Sequence, residues 1–120
     1  MRSNLIAIVL ALGASVSAHA TSAVSFEAEG YLLDIVVGDD SRPVVAGLSF
    51  AAPGSVRSTE IPLRHLKVEV FDTVQKVLLL RFTNPADPAL PKDFSLTVRK
   101  DAGVLKIGDR SISGRFSWGM

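Results

Sequence analysis

The chain has no cysteine. That excludes disulfides, on which exported domains of this size often rely, and it excludes lipid attachment through a processed N-terminal cysteine. Nor is there an apolar run long enough to cross a bilayer, for which about 20 residues are needed. Charge of one sign is missing too: 13 Lys and Arg face 12 Asp and Glu. A chain so balanced, without a basic cluster in its sequence, argues against nucleic acid or an anionic membrane as partner. There is no G-x-S-x-G motif, no internal repeat, and no segment with a convincing helical period.

What is present begins with a secretory layout: Arg2, an apolar segment from Leu5 to Leu12, then small residues. This reads as a cleaved signal peptide. Two points satisfy the small-x-small rule. Cleavage after Ala18-His19-Ala20 gives the preferred division into a signal, 1–20, and a single domain, 21–120; cleavage after Val16-Ser17-Ala18 would expose His19 as the first residue. The first choice removes only Arg2 among charged residues and leaves the mature chain neutral. Export without cysteine points to a bacterial periplasmic or secreted protein, soluble after processing.

The remainder alternates apolar and polar residues with the period of β-strands. Ala23 to Gly38 is strand-like, with Val24, Phe26 and Ala28 on one parity and Tyr31, Leu33, Ile35 and Val37 on the other, so a bulge or bend is expected at Glu29-Gly30. Asp39 to Pro43 is a turn by composition. Val44, Ala46, Leu48 and Phe50 are expected inward, and Pro53-Gly54 supplies the backbone angles of a type II turn. The segment 56–66 reads as an edge strand or a short helix opened by Thr59, with the edge strand preferred. Leu66 to Phe71 should form a hairpin with the run Lys76 to Phe82, which is apolar on nearly both faces and therefore reads as the centre of a sheet covered on each side. Phe94, Leu96 and Val98 alternate, Asp101-Ala102-Gly103 turns the chain, and Ile112, Gly114, Phe116 and Trp118 line one face of a closing strand. Seven or eight short strands in about 100 residues suggest an all-β fold: a two-sheet antiparallel sandwich of the immunoglobulin-like kind, or else a small closed barrel.

Candidate chemistry is thin. His65 is the only histidine certain to survive processing, and it lies beside Arg64 and Lys67 rather than an orienting carboxylate, so no catalytic residue is assigned. Glu27 and Glu29, two apart on a strand face, and Asp34, Asp39 and Asp40, which lack the order of a calcium loop, read as solvated carboxylates. The segment Gly108-Asp109-Arg110 with Ser113 to Trp118 resembles the last strand of periplasmic copper-resistance β-sandwich proteins, over about a tenth of the chain. The resemblance implies a copper site that pairs an N-terminal histidine with a second one. Arg110 stands where the family has the second and offers no neutral donor, so the metal reading rests on His19 alone. No other metal ligand and no cofactor is expected.

The remaining expectation is partner binding. The stretch from Asn84 to Asp93 has three prolines at a spacing of three, Pro85, Pro88 and Pro91, which favours a stiff, extended loop such as connects two sheets. Asn84, Pro85, Asp87, Pro88, Pro91, Lys92 and Asp93 are the expected contacts, with Tyr31 and Arg81 as edge contacts. The function expected is that of an exported, non-enzymatic module that binds another protein, as an assembly subunit or as an inhibitor of an exported enzyme; the alternative is a small copper-binding protein using His19.

Overall fold

The computed structural model describes residues 22–38 and 43–119, so the expected signal peptide, His19 and most of the Asp39–Pro43 turn lie outside the described residues. What is described is all-β. The strands are β1 (Ser22–Ala28), β2 (Tyr31–Gly38), β3 (Val44–Ala51), β4 (Thr59–Glu60), β5 (Leu66–Asp72), β6 (Val77–Phe82), β7 (Phe94–Arg99), β8 (Ala102–Ile107) and β9 (Arg110–Ser117), with a 3₁₀ turn at Leu63–His65 between β4 and β5. All nine belong to one antiparallel sheet in the order β4-β3-β2-β1-β9-β8-β7-β6-β5.

One continuous ladder thus stands where two separate sheets were expected. The chain runs outward from β1 to β4, crosses to the far edge, and returns from β5 to β9, which pairs with β1. Only Ile61 to His65 separates the two edge strands, and a connection that short spans about 20 Å at most. The edges must therefore approach, and the sheet curls. Phe50 on β3 and Phe94 on β7 show how far: five strand spacings would part them by about 24 Å in a flat sheet, yet their rings stack with centroids 5.2 Å apart. The result is an open half-barrel. It has the curvature of the barrel alternative without its closure, since no ladder among the described residues joins β5 to β3 or β4.

The curl gives the sheet an inner and an outer face, and alternation assigns residues to each. Val24, Phe26, Leu33, Ile35, Leu48, Leu78, Leu80, Phe82, Leu96, Val98, Leu105, Ile112 and Phe116 are all buried on the inner face. Trp118 closes the end of the core remote from the loop after β6: its indole Nε1 donates to the Lys100 carbonyl at 2.6 Å, and its ring stacks on Phe71 of the far edge strand.

Several local expectations change. Glu29-Gly30 is neither a bulge nor a bend but a two-residue hairpin turn; both residues have positive φ, 49° and 89°, as the twist of a tight hairpin favours. The parity switch there is the chain reversing. A true irregularity lies opposite Val36 and Val37, where Ala46 is the extra residue: it turns Val45 toward the core and leaves Val44 and Ala46 exposed, reversing the expected faces of that end of β3. The 56–66 segment is only briefly an edge strand, two residues long, before Pro62 leads into the 3₁₀ turn. The turn expected at Asp101 to Gly103 falls at Lys100-Asp101 instead, leaving Ala102 and Gly103 in β8. Pro53-Gly54 does form its expected turn, with Ser55 N–H donating to the Ala52 carbonyl and Gly54 at φ 80°.

The run Lys76 to Phe82 is not the centre of the sheet. Lys76 sits in the turn at φ 59°, and β6 is second from an edge, between β5 and β7. Its outer residues Val77 and Leu79 are half-buried without a second layer over them; the adjacent strands place Val70 and Thr97 on either side of Leu79. The central position belongs to β9.

Candidate functional site

Four connections gather at one end of the half-barrel: the Glu29-Gly30 turn, the loop after β3, the loop from Thr83 to Asp93, and the Gly108-Asp109 turn. They are fastened to one another. Gly30 packs so closely on Pro53 that a Cβ there would lie 2.9 Å from the proline ring. Arg110 Nη2 donates to Glu29 Oε1 at 3.1 Å, linking β9 to the first hairpin turn.

The Thr83–Asp93 loop is where the proline spacing misleads. The chain folds back on itself around Asn84 instead of extending. The Asn84 amide nitrogen donates to the carbonyls of Asp87, Leu90 and Pro91, and its oxygen accepts from the Asp87 N–H at 2.6 Å. Asp93 Oδ1 accepts from the Asn84 N–H at 2.8 Å, and Asp87 Oδ1 from the Ala89 N–H. Leu90 tucks against the core. One polar side chain thus does what regular secondary structure cannot do through prolines, satisfying backbone groups that have no ladder partner. The loop joins adjacent antiparallel strands, Phe82 pairing with Phe94, so it is a long hairpin connection and not a crossing between sheets.

Asn84→Ala is therefore expected to cost about 1–3 kcal/mol and to release the loop without unfolding the sheet. Urea unfolding would measure the cost, and hydrogen exchange would show faster exchange at the amides of Asp87 and Leu90 but not at Leu96. Unchanged protection at Asp87 would mean that Asn84 does not hold the loop.

Beside the loop the inner face opens into a cleft of about 430 Å³ walled by Tyr31, Phe50, Ala52, Pro91 and Ile107, with Lys92, Asp109 and Arg110 at its rim. An adjoining hollow of about 200 Å³ shares Phe50, Ala52 and Pro91 and reaches Arg57, Thr59 and Ala89. The floor is firm because it is the end of an aromatic row: Tyr31 meets Phe50 edge-on at 5.9 Å, Phe50 stacks on Phe94, and Phe94 packs on Phe82 at 5.2 Å. Apolar walls with a few charged groups at the mouth are what small-molecule and side-chain pockets have in common.

Compared with known protein families, curated proteins and solved structures, the chain matches none. Its site must be read from its own residues. Tyr31 comes together at the cleft with Pro91 and Lys92, which are distant from it in sequence. Tyr31 does so as an inner-face wall residue and not as an edge contact, since β2 is flanked by β1 and β3. Asn84, Asp87 and Asp93 shape the loop, and Pro85 and Pro88 lie exposed in it. Arg81 is elsewhere, on the outer face of β6, 3.6 Å from Glu69. The cleft also takes in Phe50, Ile107 and Arg110; Phe50 reads in sequence simply as an inward residue of an alternating strand, and nothing local marks the approach of any of the three to the loop.

Among the described residues no group of three or more His, Asp or Glu is placed to hold a metal ion. His65 ends the 3₁₀ turn, where its carbonyl accepts from the Thr83 N–H and fixes the start of the loop.

Proposed function

We propose that this is an exported, non-enzymatic β domain that binds a protein partner through the loop end of the half-barrel. The observation that carries the reading is the joining of a loop locked in one conformation to a cleft with an aromatic floor. A pre-ordered loop loses little entropy on binding, and a preformed pocket beside it offers a place for one anchoring side chain, ringed by charges that select its neighbours. Export is supported by Arg2, the Leu5–Leu12 segment and the small residues after it.

The test uses a photo-crosslinking residue placed at Ala89 or Lys92 and, as a control, at Ser113 on the outer face. Crosslinks to one defined protein are expected from the loop positions and not from Ser113. With that protein purified, Lys92→Glu should weaken binding about tenfold, equivalent to about 1.4 kcal/mol. Crosslinking from Ser113 alone, or an affinity unchanged by Lys92→Glu, would overturn the assignment of this end as the binding site.

A further inference from the structure

The outer face of the sheet carries a second feature, independent of the cleft. Across β5 to β8 the register places Lys67, Arg81, Ser95 and Lys106 in a single row. Lys67 and Arg81 are directly opposed, an arrangement of like charges that costs stability in a sheet. Neutralisation from within the protein is partial: Glu69 lies 3.6 Å from Arg81 Nε, and an ion pair this exposed contributes little.

Next to this pair the surface is dented. Arg81, Thr83, Ser95 and Lys106 line a depression of about 320 Å³, with Phe82, Phe94 and Asp93 completing it. Arg81 and Lys106 stand on either side of Ser95, two strand spacings or about 10 Å apart, so two long cationic side chains flank one short hydroxyl. Asp93 is the opposing charge in the lining, and its Oδ1 already accepts the Asn84 N–H. The chain is neutral once its leader is removed, yet here tertiary structure brings three cations from three strands against two carboxylates.

We propose that this depression is an oxyanion site that takes a phosphate group. Phosphate suits the donors better than a carboxylate does. It has enough oxygens to receive the Arg81 guanidinium fork, the Lys106 ammonium and the Ser95 and Thr83 hydroxyls together, and the depression leaves room for the group that carries it. Glu69 competes with the ligand for Arg81, and that competition gives the site an unusual signature.

The experiment is a titration of the ¹⁵N-labelled mature domain with inorganic phosphate, against chloride at matched ionic strength, read at the amides. Saturable shifts at Thr83, Ser95 and Lys106 are expected. Arg81→Gln should weaken binding at least about fivefold, and Glu69→Gln should tighten it about threefold, because one removes a donor and the other removes its competitor. Both residues are exposed, and a misfolded variant would not bind more tightly. Shifts that do not saturate, shifts spread equally to remote cations such as Arg57, or a Glu69→Gln variant that binds no tighter would overturn the proposal. Co-sedimentation with phosphatidylglycerol vesicles, competed by phosphate and lost in Arg81→Gln, would assign the group to a lipid headgroup; phosphate binding without co-sedimentation would assign it to a soluble phosphate ester.

Discussion

Gly114→Ala is expected to destabilise the domain by about 3 kcal/mol, at the upper end for overpacking, although it adds a single methyl group to a strand. Gly114 lies at the middle of β9, the central strand, directly opposite Gly103 of β8. A Cβ on Gly114 would come within 3.0 Å of the Ala28 Cβ and of the Glu27 carbonyl oxygen, and against the Phe26 ring. Neither of the first two can rotate away. One is the first atom of a side chain and the other is backbone, so relief requires β1 to move off β9 at the junction that joins the two halves of the sheet. Denaturant unfolding should show the loss in full, whereas Ser113→Ala, one residue away on the exposed outer face, should stay within about 0.5 kcal/mol of the parent. Equal stabilities for the two variants would mean that β1 does not pair with β9 in this register.

The second large effect is the loss of the side chain that this glycine pair accommodates. Phe26 is fully buried, and its ring lies over Gly103 as well as Gly114; a Cβ on Gly103 would be 2.8 Å from the ring. Two facing glycines leave a hollow in the inner surface of the sheet, and the phenylalanine of the next strand fills it. Phe26→Ala is expected to cost about 3–5 kcal/mol. The socket is walled by backbone hydrogen-bonded on both sides, so it cannot collapse onto the missing ring as a cluster of flexible side chains would. Against a total stability of about 5–15 kcal/mol for an ordinary domain, this variant is expected to unfold at a lower denaturant concentration than Gly114→Ala or Asn84→Ala. Gly103→Ala should cost less than Gly114→Ala, because its obstacle is a ring edge, and Phe26→Leu should recover part of that loss. A double-mutant cycle on Gly103 and Phe26 that shows no coupling would contradict the socket.

Much of this was legible in the residues, and the reason is local. A strand that buries one face must alternate, so Val24 and Phe26, Leu33 and Ile35, Leu78 and Leu80, and Phe94 to Val98 could be assigned to one face without knowing their neighbours. Irregularities were legible only in part. The parity switch at Glu29-Gly30 was visible, but a bulge and a hairpin turn produce the same switch; the extra residue at Ala46 left no trace, since valine and alanine are acceptable on either face of β3. In the Thr83–Asp93 loop the proline spacing favoured extension, and a single asparagine outweighed it by offering donors to three carbonyls.

The run from Lys76 to Phe82 shows why position in the sheet was harder to read than membership of it. Val77 and Leu79 are apolar on the outer face, which suggested a covering layer. Side chains of the adjacent strands shield them instead, and a list of apolar residues does not distinguish lateral from vertical cover. The cleft and the outer-face depression were invisible for a related reason. Each joins residues from strands distant in sequence, and their assembly depends on a curl with no signature in any one segment.

The sequence by itself determined that the domain would be all-β, which residues of most strands face inward, that no disulfide supports the fold, and that Pro53-Gly54 turns the chain, because these follow from side-chain chemistry and a period of two. Tertiary structure alone decided that the strands form one curled sheet instead of two stacked ones, that β9 lies at its centre, and that Tyr31, Phe50 and Pro91 share a cleft. A sandwich and a half-barrel make the same demand on every strand, one apolar face, and differ only in which edges pair.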